Sequence, residues 1–159
     1  MSKTLVAYFS HSGNSQVIAK EFARVLNGDL FEIKARHTYS SQYNTVVEEA
    51  KRELNAKARP ALVDPLPKLE EYDRIVIGYP NWWGTMPMPC FTFLESADFS
   101  HKTIIPFCTH EGSGMGRSEQ DLQNLCSSAR VLKGLAIRGS TVLQARQSIM
   151  NYLKENQLI

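Results

Sequence analysis

Hydrophobic positions along this chain switch repeatedly between the period of a strand and the period of a helix. Thr4-Leu5-Val6-Ala7-Tyr8-Phe9 is apolar without alternation, the pattern of a strand buried on both faces of a parallel sheet. Behind it Val17, Ile18, Phe22, Val25 and Leu26 recur at helical spacing, with Gly28 expected as the left-handed residue that ends the helix. Asp29 to Lys34 alternates polar and apolar residues, as a strand does near a sheet edge where one face is poorly covered. Tyr43, Val46, Val47, Ala50, Leu54 and Ala58 mark a second helix, with Thr45 and Glu48 as a capping box and Glu48–Arg52 and Glu53–Lys57 as favourable pairs four residues apart. Pro60, Pro65 and Pro67 then make a linker.

The alternation continues to the end of the chain. Asp73 to Tyr79 is a third strand with an apolar centre, and Pro87 and Pro89 stand where a helix begins, its apolar side made by Met88, Phe91 and Leu94. Lys102 to Cys108 reads as a fourth strand, after which Ser118 and Asp121 resemble an N-terminal cap for a helix continued by Leu122, Leu125 and Cys126. Val131 to Ile137 is a fifth strand interrupted by Lys133 and Gly134, and a last helix is predicted from Thr141 to Lys154. Strands that alternate with helices predict an α/β fold, a doubly wound parallel sheet of five strands with helices on both faces, because parallel strands need crossovers and the crossovers cover the sheet. One domain over residues 1–159 is expected, with ligands beyond the carboxyl ends of the strands.

Composition narrows the partners. With 43% hydrophobic and 21% charged residues the chain is globular, and a net charge of +2, without a basic cluster, gives no surface for nucleic acid. No apolar run reaches transmembrane length and no signal-peptide layout precedes the first strand, so no membrane span and a cytoplasmic location are expected. Cys90, Cys108 and Cys126 lie far apart without metal-ligand spacing, as buried reduced thiols would.

Three loops at the carboxyl ends of the strands carry the candidate chemistry. After the first strand, Ser10-His11-Ser12-Gly13-Asn14-Ser15 sets three hydroxyls and an amide around a glycine at a helix start, where unpaired backbone N–H groups and the helix dipole favour an anion. A plain cap by Ser12 or Asn14 is the alternative, but it uses one polar residue where the loop has several. Pro80-Asn81-Trp82-Trp83-Gly84 follows the third strand and offers flat aromatic faces; adjacent side chains point different ways, so one tryptophan is expected to stack on a ring and the other to pack or rim it. Thr109-His110-Glu111-Gly112-Ser113-Gly114 follows the fourth strand. His110 and Glu111 have acid–base side chains, a solvated role fits them equally, and no catalytic residue is assigned. There is no G-x-G-x-x-G run, no Walker G-x-x-x-x-G-K, no strand-end carboxylate pair and no first-loop cysteine.

The S-x-S-G-x-S string at Ser10 to Ser15, placed after the first buried strand and joined by an aromatic second loop and a Gly/Ser third loop, resembles the flavodoxin-like FMN-binding family over essentially the whole chain. Trp82-Trp83-Gly84-x-x-Pro87 is similar to the branch with paired tryptophans in its second loop. The resemblance implies strand order 2-1-3-4-5 and non-covalently bound FMN. It further implies that residues 10–15 meet the phosphate, that the Pro80 to Gly84 loop meets the flavin with Asn81 to Gly84 supplying backbone groups to its reactive edge, and that Thr109 to Gly114 meet the pyrimidine. Electron transfer or oxidoreduction through that flavin is the implied function, with a redox partner protein or a small-molecule acceptor. Carrier flavodoxins are strongly acidic, whereas this chain has a pI near 8.4. That departure keeps open an NAD(P)H-dependent flavin reductase acting on quinone-like acceptors, and a flavin-dependent interaction module without turnover.

Overall fold

Successive side chains of a strand point to opposite faces, and the computed structural model, which describes residues 3–159, shows what that does to the unbroken apolar runs. Met1 and Ser2 lie outside the described residues. The strands are β1 (Thr4–Tyr8), β2 (Asp29–Glu32), β3 (Arg74–Pro80), β4 (Thr103–His110), β5 (Arg130–Val131) and β6 (Leu135–Arg138). They form one parallel sheet in the order β2-β1-β3-β4, with β5 and then β6 on the far side of β4. The expected order of five strand positions is therefore present, with the fifth position filled by two short strands. Lys133 and Gly134 make the break. A Cβ on Gly134 would overlap the end of Met115, so the glycine leaves room for that side chain between the two strands.

Leu5, Ala7, Ile75, Ile77, Ile104 and Cys108 point to one face and pack with Cys90, Phe93 and Leu94 of α3 (Met88–Glu95) and Leu122 of α4 (Ser118–Leu125). Val6, Tyr8, Val76, Ile105, Phe107 and Ile137 point to the other and pack with Ile18, Ala19 and Phe22 of α1 (Asn14–Leu26) and Ile149, Tyr152 and Leu153 of α5 (Arg146–Glu155). Each fully buried Ile, Leu or Phe contributes roughly 1.5–3 kcal/mol, so these two layers hold the sheet. The second helix, α2 (Tyr43–Ala56), buries Val46 and Ala50.

Local details depart from the sequence reading where a tertiary partner competes. Asn27, with φ 52, takes the left-handed position after α1; Gly28 instead lets the chain pass close to the Thr4 carbonyl, 3.0 Å from where its Cβ would be. The edge strand stops at Glu32, but the chain continues beside the proline-rich linker through an antiparallel bridge between Ala35 and Leu62. The Thr45–Glu48 capping box is absent because α2 starts at Tyr43 after Gln42. Glu53 is taken by the Tyr39 hydroxyl at 2.5 Å and His37 Nε2 at 3.0 Å, and neither of the two expected helix pairs is formed among the described residues. Ser118 is the first residue of α4 and is fully buried; it donates to the Met115 carbonyl and accepts the Tyr79 hydroxyl. The last helix is preceded by a 3-10 turn over Gly139–Gln144. All three cysteines are buried free thiols, and among the described residues no helix is long and apolar enough to cross a membrane.

Candidate functional site

Because the sheet is parallel, the loops after β1, β3, β4 and β6 all leave from the same end. In the first loop Gly13 holds φ 99 immediately before α1, a conformation that costs an L side chain. Neither Ser12 nor Asn14 caps the helix. Ser10 Oγ accepts the N–H of Gly13 at 3.1 Å and of Gln16 at 3.3 Å, which leaves the hydroxyl proton free to donate outward. Among the described residues no acceptor meets the N–H of Ser12, Asn14 or Ser15, and a Cβ on Gly13 would face open space. Ser15 is buried, its hydroxyl 2.9 Å from that of Thr109, so the first loop is pinned to the end of β4. His11 Nε2 lies 2.7 Å from the Ser40 carbonyl, and its ring meets Trp82 edge-on at 5.8 Å.

The aromatic loop is a two-residue turn. Trp82 and Thr85 exchange backbone hydrogen bonds, and both central residues, Trp83 at φ 58 and Gly84 at φ 86, are left-handed, as a type I′ turn requires. The strain at Trp83 is offset by its indole N–H donating to the Val47 carbonyl at 2.9 Å and by Lys51, whose ammonium sits 5.1 Å from the ring centre. Trp83 thus packs outward on α2, 45% exposed. Trp82 packs inward, edge-on to Phe9 and to Tyr39 with ring centres 5.1 Å apart in both pairs. Asn81 ties the turn to the next loop, donating from Nδ2 to the Gly114 carbonyl at 2.9 Å and accepting the Gly84 N–H at 2.8 Å, while its own N–H donates to the Thr109 carbonyl. Pro80 is the last residue of β3 and pairs in register with Thr109.

The third loop is bent by Gly112, Gly114 and Gly116, all at positive φ. His110 Nδ1 accepts the Gly112 N–H at 2.9 Å, so this imidazole holds the turn. Glu111 points toward the first loop: its carboxylate and the Asn14 amide both crowd the place where Gly139 lacks a Cβ. Ser113 is exposed. The structure thereby gathers the three predicted loops into one cluster, with Trp83 at its outer side.

A family model described as flavodoxin matches residues 3–156. The chain belongs to the flavodoxin family. Among solved structures it is similar to a Bacteroides uniformis protein assigned as a flavoprotein, with 36% identity, a TM-score of 0.83, and coverage of 94% of this chain and 98% of that one. A Lactobacillus acidophilus flavoprotein in complex with FMN shares the fold at a TM-score of 0.75 and 21% identity, covering 92% of this chain and 99% of that one. An NAD(P)H dehydrogenase (quinone) from Acidovorax ebreus is 29% identical over 97 residues, 61% of this chain and 47% of the relative, so the chain spans about half the length of that protein.

The flavodoxin loops here fit FMN on their own geometry. Gly13, Gly84 and Gly114, one from each loop, all hold positive φ, and a Cβ on any of them would meet nothing within 4 Å, so three backbones border open space where a flat ligand can approach. The unpartnered amides at the start of α1 and the free Ser10 proton supply donors for a phosphate without any cation in that loop.

Two contributors escaped the sequence reading. Gly116 lies just beyond the predicted third loop, and a Cβ there would overlap the Gly84 carbonyl, whose oxygen accepts the Arg117 N–H at 2.7 Å. Its signal was the G-x-G-x-G spacing of residues 112–116. Gly116→Ala combines an αL cost of about 1–2 kcal/mol with loss of a backbone hydrogen bond. It is expected to destabilise the protein by about 2 kcal/mol, with a melting temperature lower by roughly 4–8 °C and faster protease cleavage within residues 111–117. An unchanged melt and cleavage rate would mean that the third loop does not depend on this contact. The second contributor, the Arg138–Gly139 corner, left no local signal, since only pairing of β6 with β4 brings it to the site.

Proposed function

We propose that this protein binds FMN non-covalently at the carboxyl ends of β1, β3 and β4 and performs electron transfer or oxidoreduction through it. The observation that carries this reading is the set of three open, positive-φ glycines on loops locked to one another by the Ser15–Thr109 and Asn81–Gly114 hydrogen bonds. Bound FMN supplies the redox chemistry, exchanging electrons one or two at a time. Ser10 and Ser12 bind its phosphate through their hydroxyls, and Ser12, Asn14 and Ser15 through backbone N–H groups, with Gly13 allowing the close approach and the Ser15 hydroxyl staying on Thr109. Trp82, held by its edge-on partners, walls the ring, and Trp83 rims it on the α2 side. Backbone N–H groups of the loop beyond β4, those of Glu111, Ser113 and Gly114, face the pyrimidine, with His110 holding the loop in shape through the Gly112 N–H and Asn81 joining it to the turn.

The partial match to an NAD(P)H dehydrogenase (quinone) and the basic pI favour a reductase as a second reading over an acidic one-electron carrier. One experimental series tests both levels. The purified protein should be yellow or become so with FMN, and FMN should bind at least tenfold tighter than riboflavin, because the phosphate donors are otherwise unused. A protein that binds neither flavin overturns the proposal. Titration with dithionite then separates the roles: reduction in two resolved one-electron steps supports a carrier, whereas direct two-electron reduction with rapid NAD(P)H oxidation by a quinone supports the reductase.

A further inference from the structure

The first loop contains no lysine or arginine, yet the fold brings a cation to the third. Register pairing of β4 with β6 sets Arg138 beside His110. The two terminal guanidinium nitrogens lie 3.7 and 3.8 Å from where a Cβ on Gly112 would be, and Nη1 donates to the Glu111 carbonyl at 3.5 Å. No carboxylate comes within ion-pair distance of Arg138 among the described residues. The nearby Glu111 carboxylate is instead turned toward Asn14 and Gly139. Arg138 therefore stands uncompensated against the backbone of the loop that faces the pyrimidine in the proposed function.

An isoalloxazine reduced by two electrons and one proton carries one negative charge, centred on the pyrimidine side, whereas the oxidised ring is neutral. A fixed positive charge nearby interacts with the reduced ring and hardly with the oxidised one. We propose that Arg138 is a positioning residue whose charge strengthens the third loop's hold on reduced FMN relative to its hold on oxidised FMN. This rests on FMN occupying the site as proposed above, and it assigns a role to a residue outside all three flavin-binding loops. Acting across several ångströms of partly solvated space, the charge is expected to change the ratio of the two affinities about five- to tenfold.

The test uses the FMN-loaded protein and three forms: unaltered, Arg138→Gln and Arg138→Lys. Oxidised FMN affinity is read by fluorescence quenching and the two-electron midpoint potential by equilibrium with a reference dye. Arg138→Gln is expected to leave oxidised affinity within about twofold. It should weaken reduced FMN five- to tenfold, a negative shift of about 20–30 mV at about 30 mV per tenfold for a two-electron couple. Arg138→Lys should retain most of the original potential, and 0.5 M salt should shrink the difference between the Arg and Gln forms, because an exposed charge is screened. Equal shifts for Gln and Lys, equal weakening of both oxidation states, or no shift would each overturn the proposal. Failure of the unaltered protein to bind FMN would overturn the earlier reading instead, so the two failures are distinguishable.

Discussion

Gly78→Ala is expected to destabilise the protein by about 3 kcal/mol or more, the upper end of what overpacking a core costs. Gly78 lies within β3, between Ile77 and Tyr79, both fully buried, and a Cβ there would overlap three ring atoms of Phe107. The Phe107 ring cannot step aside, since it is fully buried and stacked on Phe22 with ring centres 5.2 Å apart and planes 9° apart. Either the ring leaves its rotamer or β3 separates from β4, and both disturb the end of β3 from which the tryptophan turn springs. For a chain of this size the melting temperature should fall by roughly 6–12 °C. Adding Phe107→Leu should restore part of the loss although Phe107→Leu alone is destabilising. A double-mutant cycle should then give a coupling energy of about 1 kcal/mol or more. Strictly additive effects would show that the ring is not what Gly78 makes room for.

The second large effect is with pH. Burial pushes the Cys108 thiol up to about 12 and Cys126 up to about 11 from an ordinary value of 9.0, and it also raises the fully buried Cys90 well above that value. Tyr72 is held protonated up to about 12 by the hydrogen bond it donates to Asp29 and then by burial, against an ordinary 10.0. Burial likewise raises Tyr39, Tyr79 and Tyr152, with the Glu53 carboxylate adding to the effect at Tyr39. All these groups are neutral when protonated and keep their protons longer folded than unfolded. Above pH 9 the unfolded chain has therefore released protons that the folded chain retains, and stability falls as pH rises. Each buried thiol contributes a slope of about 1.4 kcal/mol per pH unit until its folded-state value is passed. Urea unfolding between pH 7 and 11 should show little dependence on these groups below pH 8.5 and a steep decline above 9, joined by the tyrosines above 10. Cys108→Ala should reduce the slope between pH 10 and 11 by about one proton. Undiminished stability at pH 11 would contradict the burial of these groups.

The elements that were legible in the sequence owe it to local periodicity. The uninterrupted apolar runs of β1, β3 and β4 required cover on both faces, and that requirement alone implied helices on either side of a parallel sheet. Elements were misjudged where a distant partner competed for a side chain. Glu53 serves Tyr39 and His37 rather than its own helix, and Ser118 is drawn inward by Tyr79 instead of capping α4. The fifth strand is split at Lys133 and Gly134, where Met115 occupies the space a Cβ on Gly134 would fill.

The candidate site divides in the same way. Residue types in the first loop, the turn with two adjacent tryptophans and the glycine-rich third loop were determined by the sequence, because the demand for hydroxyls, positive φ and aromatic faces is written in short strings. Tertiary structure alone decided that Trp82 faces inward and Trp83 outward, since that depends on Phe9, Tyr39 and Val47 from three separate stretches. It also decided that Gly116 must yield to the Gly84 carbonyl, and that a cation stands by the third loop. The last follows from strand pairing: twenty-seven residues separate Glu111 from Arg138 in the chain, and only the parallel register of β4 with β6 sets them side by side.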